Sequence, residues 1–293
     1  GLFMGMQGVI FNFLMSKVIP VSKRGRLTGL RNFLAGITSA VVAWIGGEFL
    51  IGDTPTIAGY SWTFMMAFVL TSTGLAMLAF MREPEPPTVR RATSLRRRLQ
   101  ELPALLRADP AFSRYVLARA LATLGRMAAP FYILYAGREI GISGTTLAVL
   151  TIAFTLAGTV SNLLWGALAD RHGFRLAFLG SIALWVASTL ALMLTSGLVP
   201  TTLVFVGIGA AFQGFQHPSM NLTLEFVHRD DLPMRIALAN SGSELAGTIG
   251  PLLGGLLAAL LGYDAVFLTS VAFLALGGLM ILRWVPEPRH AGP

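Results

Sequence analysis

The sequence contains no cysteine. That excludes a disulfide framework, Cys-ligated metal and a thiol nucleophile. Charge is also scarce, at 12% of 293 residues, against about 25% in soluble domains. With only four histidines, a metal site is not expected, and neither is any cofactor. No G-x-S-x-G, no H-E-x-x-H and no pair of intramembrane aspartates is present, so the chain carries none of the usual hydrolase patterns and is not expected to be an enzyme. The first 20 residues lack a charged n-region and a small-residue cleavage site. They read as a spanning helix rather than a signal peptide.

What is present is apolar. Hydrophobic residues make up 54% of the chain, and mean hydropathy is +0.69. They fall in runs of about 20, the length that crosses a ~30 Å hydrocarbon core at ~1.5 Å per helical residue. Nine spans are expected, at about 1–20, 27–51, 61–81, 111–137, 143–168, 175–196, 200–224, 233–261 and 264–284. The fold class is an all-α polytopic membrane protein.

The loops alternate in charge. Lys17, Lys23, Arg24, Arg26 and Arg31 occupy the first, Glu48 and Asp53 the second, and arginines crowd 82–114. Of the 22 Lys and Arg, Arg138 alone sits in a loop of the opposite set. Basic loops stay cytoplasmic, so the N-terminus is expected outside and the C-terminus inside a cell membrane. The net charge of +8 is thereby accounted for without nucleic acid. Residues 82–110 form a polar linker: MREPEPPTVRR reads as extended, and 95–106 place Leu95, Leu99, Leu102 and Leu106 on one helical face near Arg96, Arg97 and Arg98. An interfacial helix on anionic headgroups and a plain charged linker are both open readings. Asp109-Pro110 is expected to cap the helix that follows.

The chain repeats itself. Gly59-Tyr60 matches Gly262-Tyr263, Pro84-Glu85-Pro86 matches Pro286-Glu287-Pro288, and MQG at 6–8 resembles FQG at 212–214. The offset is about 203 residues each time, which spans six segments. The late unit, 111–293, holds six helices and a short tail. The early unit, 1–81, shows three, with the basic linker 82–110 between them. Two parallel six-helix halves joined by a basic loop form the pattern of the major facilitator superfamily.

Gly166-Ala167-Leu168-Ala169-Asp170-Arg171-His172-Gly173-Phe174-Arg175 resembles that family's signature loop, G-x-L-a-D-R-x-G-r-r, and lies between the second and third helices of a half, as the family's does. Phe174 departs from the usual basic residue. The resemblance covers the whole chain and implies twelve helices in two pseudo-symmetric halves, of which family helices four to twelve are recognised here. On that reading the sister loop falls before residue 1, and the chain is expected to be N-terminally incomplete and without transport of its own. The resemblance implies that Asp170 gates the cytoplasmic side by facing a helix N-terminus near Arg26–Thr28; capping of the next helix is the alternative. Gly166 would permit close helix approach, Gly173 a tight turn, and Arg171 and Arg175 would hold the loop inside.

GTIGPLLGG supplies Gly250, Pro251, Gly254 and Gly255, which resembles an antiporter signature but lies in the wrong half. The helix where that signature belongs keeps Gly36, Gly46 and Gly47 without a proline. Both sets are expected to allow close helix packing. The arginine that usually precedes the fourth helix's glutamine is Met4 here, so these residues do not support proton-coupled drug export.

Polar residues within spans are costly and are the functional candidates. Arg119 and Arg126 share a face of the fourth span. Arg126 is a candidate to hold an anionic substrate bidentately, or to pair with Glu244; Arg119 is a weaker candidate that a snorkelling role would also explain. Glu244 is a candidate proton carrier or an ion-pair partner. Gln213, Gln216 and His217 can line a cavity or bond between helices, and Gln7 and Asn12 are minor candidates. The function expected is secondary transport of a small solute by alternating access in a monomer embedded in the bilayer, with a coupling proton or ion as a further partner. A non-transporting receptor or scaffold is the rival.

Overall fold

The computed structural model describes residues 34–78, 80, 106–107, 109–225 and 232–285. Every element among them is helical. Helix α1 covers Leu34–Ile51 and ends in a π-turn, Gly46–Ile51. Helix α2 is Ile57–Leu78. The next span is broken: α3, Pro110–Leu124, passes through a 3-10 turn, Gly125–Ala128, into α4, Ala129–Ile140. Then follow α5, Gly144–His172, α6, Phe174–Leu194, α7, Leu198–Glu225, α8, Leu232–Leu261, and α9, Tyr263–Trp284.

Helices α1, α5, α6, α7, α8 and α9 are each long and apolar enough to cross a membrane. The 22 residues of α2 reach about 33 Å by helical rise. The α3–α4 unit reaches about 46 Å. The span expected at 1–20, with Gln7 and Asn12, lies outside the described residues, as does nearly all of the linker.

Very short connections force neighbouring helices antiparallel. Gly173 alone separates α5 from α6, and Gly262 alone separates α8 from α9. Both have positive φ, 90° and 85°, a region closed to most side chains. The alternation gives the bundle two ends. One carries Arg107, Arg114, Arg171, Arg175, Arg235 and Arg283; the other carries Glu48, Asp53, Glu139 and Asp264 with Arg138. Arg138 rests over the ring of Tyr263, 4.3 Å from its centroid.

The core has two layers. Toward the basic end, Phe112, Tyr115, Phe178, Trp185, Phe215 and Leu274 cluster. Toward the acidic end, Met127, Tyr132, Leu150, Phe205 and Phe267 do. The break in α3–α4 falls at their boundary. Helix α9 packs on α3 and α6, α7 on α5 and α6, and α8 on α3 and the 3-10 turn.

Helix α1 meets α5 through small residues. A Cβ at Gly36 would collide with Thr159, and one at Gly47 would stand 2.5 Å from the Cβ of Ala148. At the acidic end the N–H of Gly144 donates to the carbonyl of Gly52 at 2.6 Å, and Thr145 Oγ1 donates to Glu48 at 3.3 Å. Gly46 faces Thr63 of α2 instead.

Candidate functional site

Pro130 explains the break. Proline has no N–H to give the carbonyl four residues back, and its ring crowds that carbonyl. That carbonyl belongs to Arg126, and it accepts the N–H of Ala129 instead, in 3-10 fashion. Ala129 is thereby diverted from Gly125, whose carbonyl accepts the hydroxyl of Ser270 on α9. Freed backbone groups inside a membrane have to be satisfied in this way.

Arg126 projects from the broken turn, about 24 Å along the span from Pro110 by helical rise. It is half-buried. Its guanidinium carbon lies 5.0 Å from the ring centroid of Phe212 on α7. Glu244 on α8 and Arg119 on α3 are the charged side chains that interact with it electrostatically. Among the described residues Arg126 has no hydrogen bond and no ion pair. Glu244 is exposed, so the expected Arg126–Glu244 pair is not a contact in this structure.

Arg119 lies two turns away and is buried, 7% exposed. Its Nη1 donates to Thr223 Oγ1 on α7 at 3.0 Å and its Nη2 to Asn240 Oδ1 on α8 at 3.3 Å. Thr223 donates in turn to the carbonyl of Ser219 at 2.9 Å, and Tyr115 donates to that same carbonyl. Arg119 Nε is buried without a partner.

The remaining polar candidates divide. Gln213 is half-buried and packs on Gly158 of α5. Gln216 is half-buried and His217 exposed, and Asn221 Nδ2 donates to the carbonyl of His217 at 3.0 Å. None of them is hydrogen-bonded to Arg126. Asn162 on α5, whose Oδ1 is buried without a partner, was absent from the sequence candidates, although the argument from intramembrane polarity applies to it equally.

The signature stretch is more helical than a loop reading allows. Helix α5 runs through Asp170 and Arg171 to His172, and Gly173 alone makes the turn. Asp170 is exposed and has no hydrogen bond or ion pair among the described residues. It does not cap α6: Gly173 holds that position and no side chain bonds there. Arg175 Nη2 donates to the carbonyl of Leu282 at 2.7 Å, and its Nε and Nη2 approach that of Ile281 at 3.4 Å. It thus closes the C-terminus of α9, where a cation is favoured. A Cβ at Gly166 would meet nothing within 4 Å, so the close approach expected there is not seen among the described residues. Gly250 and Gly254 do take a close neighbour, the 3-10 turn around Met127. Gly255 has none, and Pro251 lies inside α8. The helix start near Arg26–Thr28 lies outside the described residues.

At the basic end, Asp109 caps α3 by accepting the N–H of Phe112 at 3.0 Å, with Pro110 in the first turn. Arg235 of α8 donates to the same carboxylate at 2.5 Å. Burial pushes the Asp109 carboxyl up. The Phe112 N–H and the Arg235 hydrogen bond and charge pull it down further, so it ends below its ordinary value.

Residues 115–293 match the sequence profile of the Major Facilitator Superfamily, which is more than half the chain. The chain belongs to the Major Facilitator Superfamily. It is therefore a multi-pass membrane protein of a transporter family. Multidrug resistance protein D of Escherichia coli (strain K12) is 27% identical over 58% of this chain and 44% of its own length. The Multi-drug resistance efflux pump PmrA homolog of Lactococcus lactis is 29% identical over 54% of this chain and 40% of its own. Probable anion transporter 3, chloroplastic, of Arabidopsis thaliana is 27% identical over 50% of this chain and 28% of its own. The chain spans less than half the length of each of these relatives. The superfamily match includes the signature stretch, the broken span from Tyr115 onward and both arginines.

Proposed function

We propose that this superfamily member moves a small organic anion across the membrane by alternating access, with Arg126 as the cation that receives it. The state of Arg126 carries the reading. A guanidinium deep in a span costs about 2.5–3.5 kcal/mol to insert by translocon measurements. Here no described residue offsets that cost with a hydrogen bond. Five N–H donors remain for a ligand, in a fork that matches a carboxylate or phosphate. The relatives' names, multidrug efflux and anion transport, support an organic solute bearing negative charge.

Glu244 is the proposed coupling group: it faces open space near Arg126 and competes electrostatically with an arriving anion. Asp170 is the proposed gate at the basic end, exposed and without a described partner. The charge contrast between the two ends favours the basic end, and hence the C-terminus, as cytoplasmic. A monomer in the bilayer suffices for this scheme. The division into an early half, 1–81, a linker, 82–110, and a late half, 111–293, belongs to the same proposal.

The test compares salicylate with its uncharged counterpart salicylamide, by scintillation-proximity binding to purified protein. Arg126→Ala is expected to weaken salicylate at least tenfold and to leave salicylamide unchanged. No salicylate binding by the native protein, or equal binding by the variant, would overturn the assignment.

A further inference from the structure

Phe212 has no polar atom, yet it is the side chain that holds Arg126. We infer that Phe212 is the positioning residue of the anion site and sets its affinity. This rests on the reading of Arg126 as the solute-receiving cation.

An arginine side chain is long and loses much rotamer freedom when fixed. A hydrogen-bonding partner would fix it but consume donors. An aromatic face attracts the guanidinium through its quadrupole and consumes none. With its carbon 5.0 Å from the Phe212 centroid, Arg126 is oriented while its five N–H groups stay available.

Phe212 is itself fixed from behind. Its ring lies 5.7 Å from Trp185 and 5.7 Å from Phe154. Trp185 is fully buried. Its Nε1 donates to Tyr132 Oη at 2.9 Å, and Tyr132 meets Thr189 Oγ1 at 2.8 Å. A rigid chain of contacts thus runs from α6 and α4 through Phe212 to Arg126. Preorganisation of this kind acts on binding rather than on the later conformational step.

Phe212→Leu keeps an apolar side chain and removes the quadrupole. It is expected to weaken salicylate binding about tenfold and to leave salicylamide binding unchanged. Phe212→Tyr and Phe212→Trp restore affinity to within about twofold of native on the same reasoning. Phe212→Met serves as a second apolar variant if the leucine form does not fold, and a native-like melting temperature qualifies each variant.

Two outcomes overturn the inference alone. In one, Arg126→Ala abolishes salicylate binding while Phe212→Leu or Phe212→Met leaves it intact. In the other, the Phe212 variants, Tyr included, weaken salicylate and salicylamide equally, which is what loss of packing alone produces. If neither Arg126→Ala nor Phe212→Leu alters salicylate binding, the reading of Arg126 fails and this inference falls with it.

Discussion

Arg119 and Arg126 stand two turns apart on one span, and the same two helices flank both. At Arg119, α7 offers Thr223 and α8 offers Asn240, and both bond the guanidinium. At Arg126, α7 offers Phe212 and α8 offers Glu244, and neither does. Between them lies the onset of the 3-10 turn that Pro130 imposes. Two like residues therefore have opposite prospects. The first uses both terminal nitrogens to hold three helices together, and only its Nε is left without a partner. The second is held without using any of its nitrogens.

The largest expected effect lies on the structural side of that contrast. Arg119→Leu removes two interhelical hydrogen bonds and leaves Asn240 without its donor. At about 1–3 kcal/mol for each buried group left unsatisfied, most folded protein should be lost, read as the monodisperse peak in detergent chromatography. A variant that folds normally would break the comparison. Arg126→Leu should do the reverse, with stability within about 1 kcal/mol of native and anion affinity down tenfold or more, about 1.4 kcal/mol per decade. Ser270→Val tests the break between them. It strips the donor from the Gly125 carbonyl, should lower stability by about 1–2 kcal/mol, and should weaken salicylate by loosening the turn that carries Arg126.

The smallest effect concerns the basic end and depends on pH. The Asp109 carboxyl is held below its ordinary value near 3.8. Its stabilising contribution is therefore complete above the unfolded value and is lost as pH falls through the lower folded value. Melting curves of the native protein should decline below about pH 4. Asp109→Asn should melt lower at neutral pH, by about 1 kcal/mol for a weakened cap plus the lost pairing with Arg235. Its own acid decline should be shallower.

Much of this was legible in the sequence because it rests on periodicity and cost. Apolar runs placed the described helices to within a few residues, and the shared face of Arg119 and Arg126 followed from a seven-residue spacing. The Asp109-Pro110 cap followed from residue chemistry alone. Phe212 was not legible, because an apolar side chain in an apolar span gives no polar signal. The break was readable in principle from Pro130, but the residues on both sides of it, 127–129 and 131–134, are apolar and carry the hydrophobic pattern straight through it. The helical continuation through Asp170 was missed because charged residues resemble a loop, although only Gly173 has the backbone conformation of one. The fates of the two arginines depend on which side chains α7 and α8 bring alongside, and that is a tertiary fact.

The most direct measurement is the melting temperature with and without saturating salicylate, for native protein and Arg126→Gln. A ligand at 100 times its Kd stabilises by about 2.7 kcal/mol. The account predicts that both proteins melt alike when unliganded and that only the native protein gains on addition of salicylate. An Arg126→Gln form that melts far lower without ligand, or that gains as much as native with it, would contradict the claim that Arg119 serves the fold and Arg126 the solute.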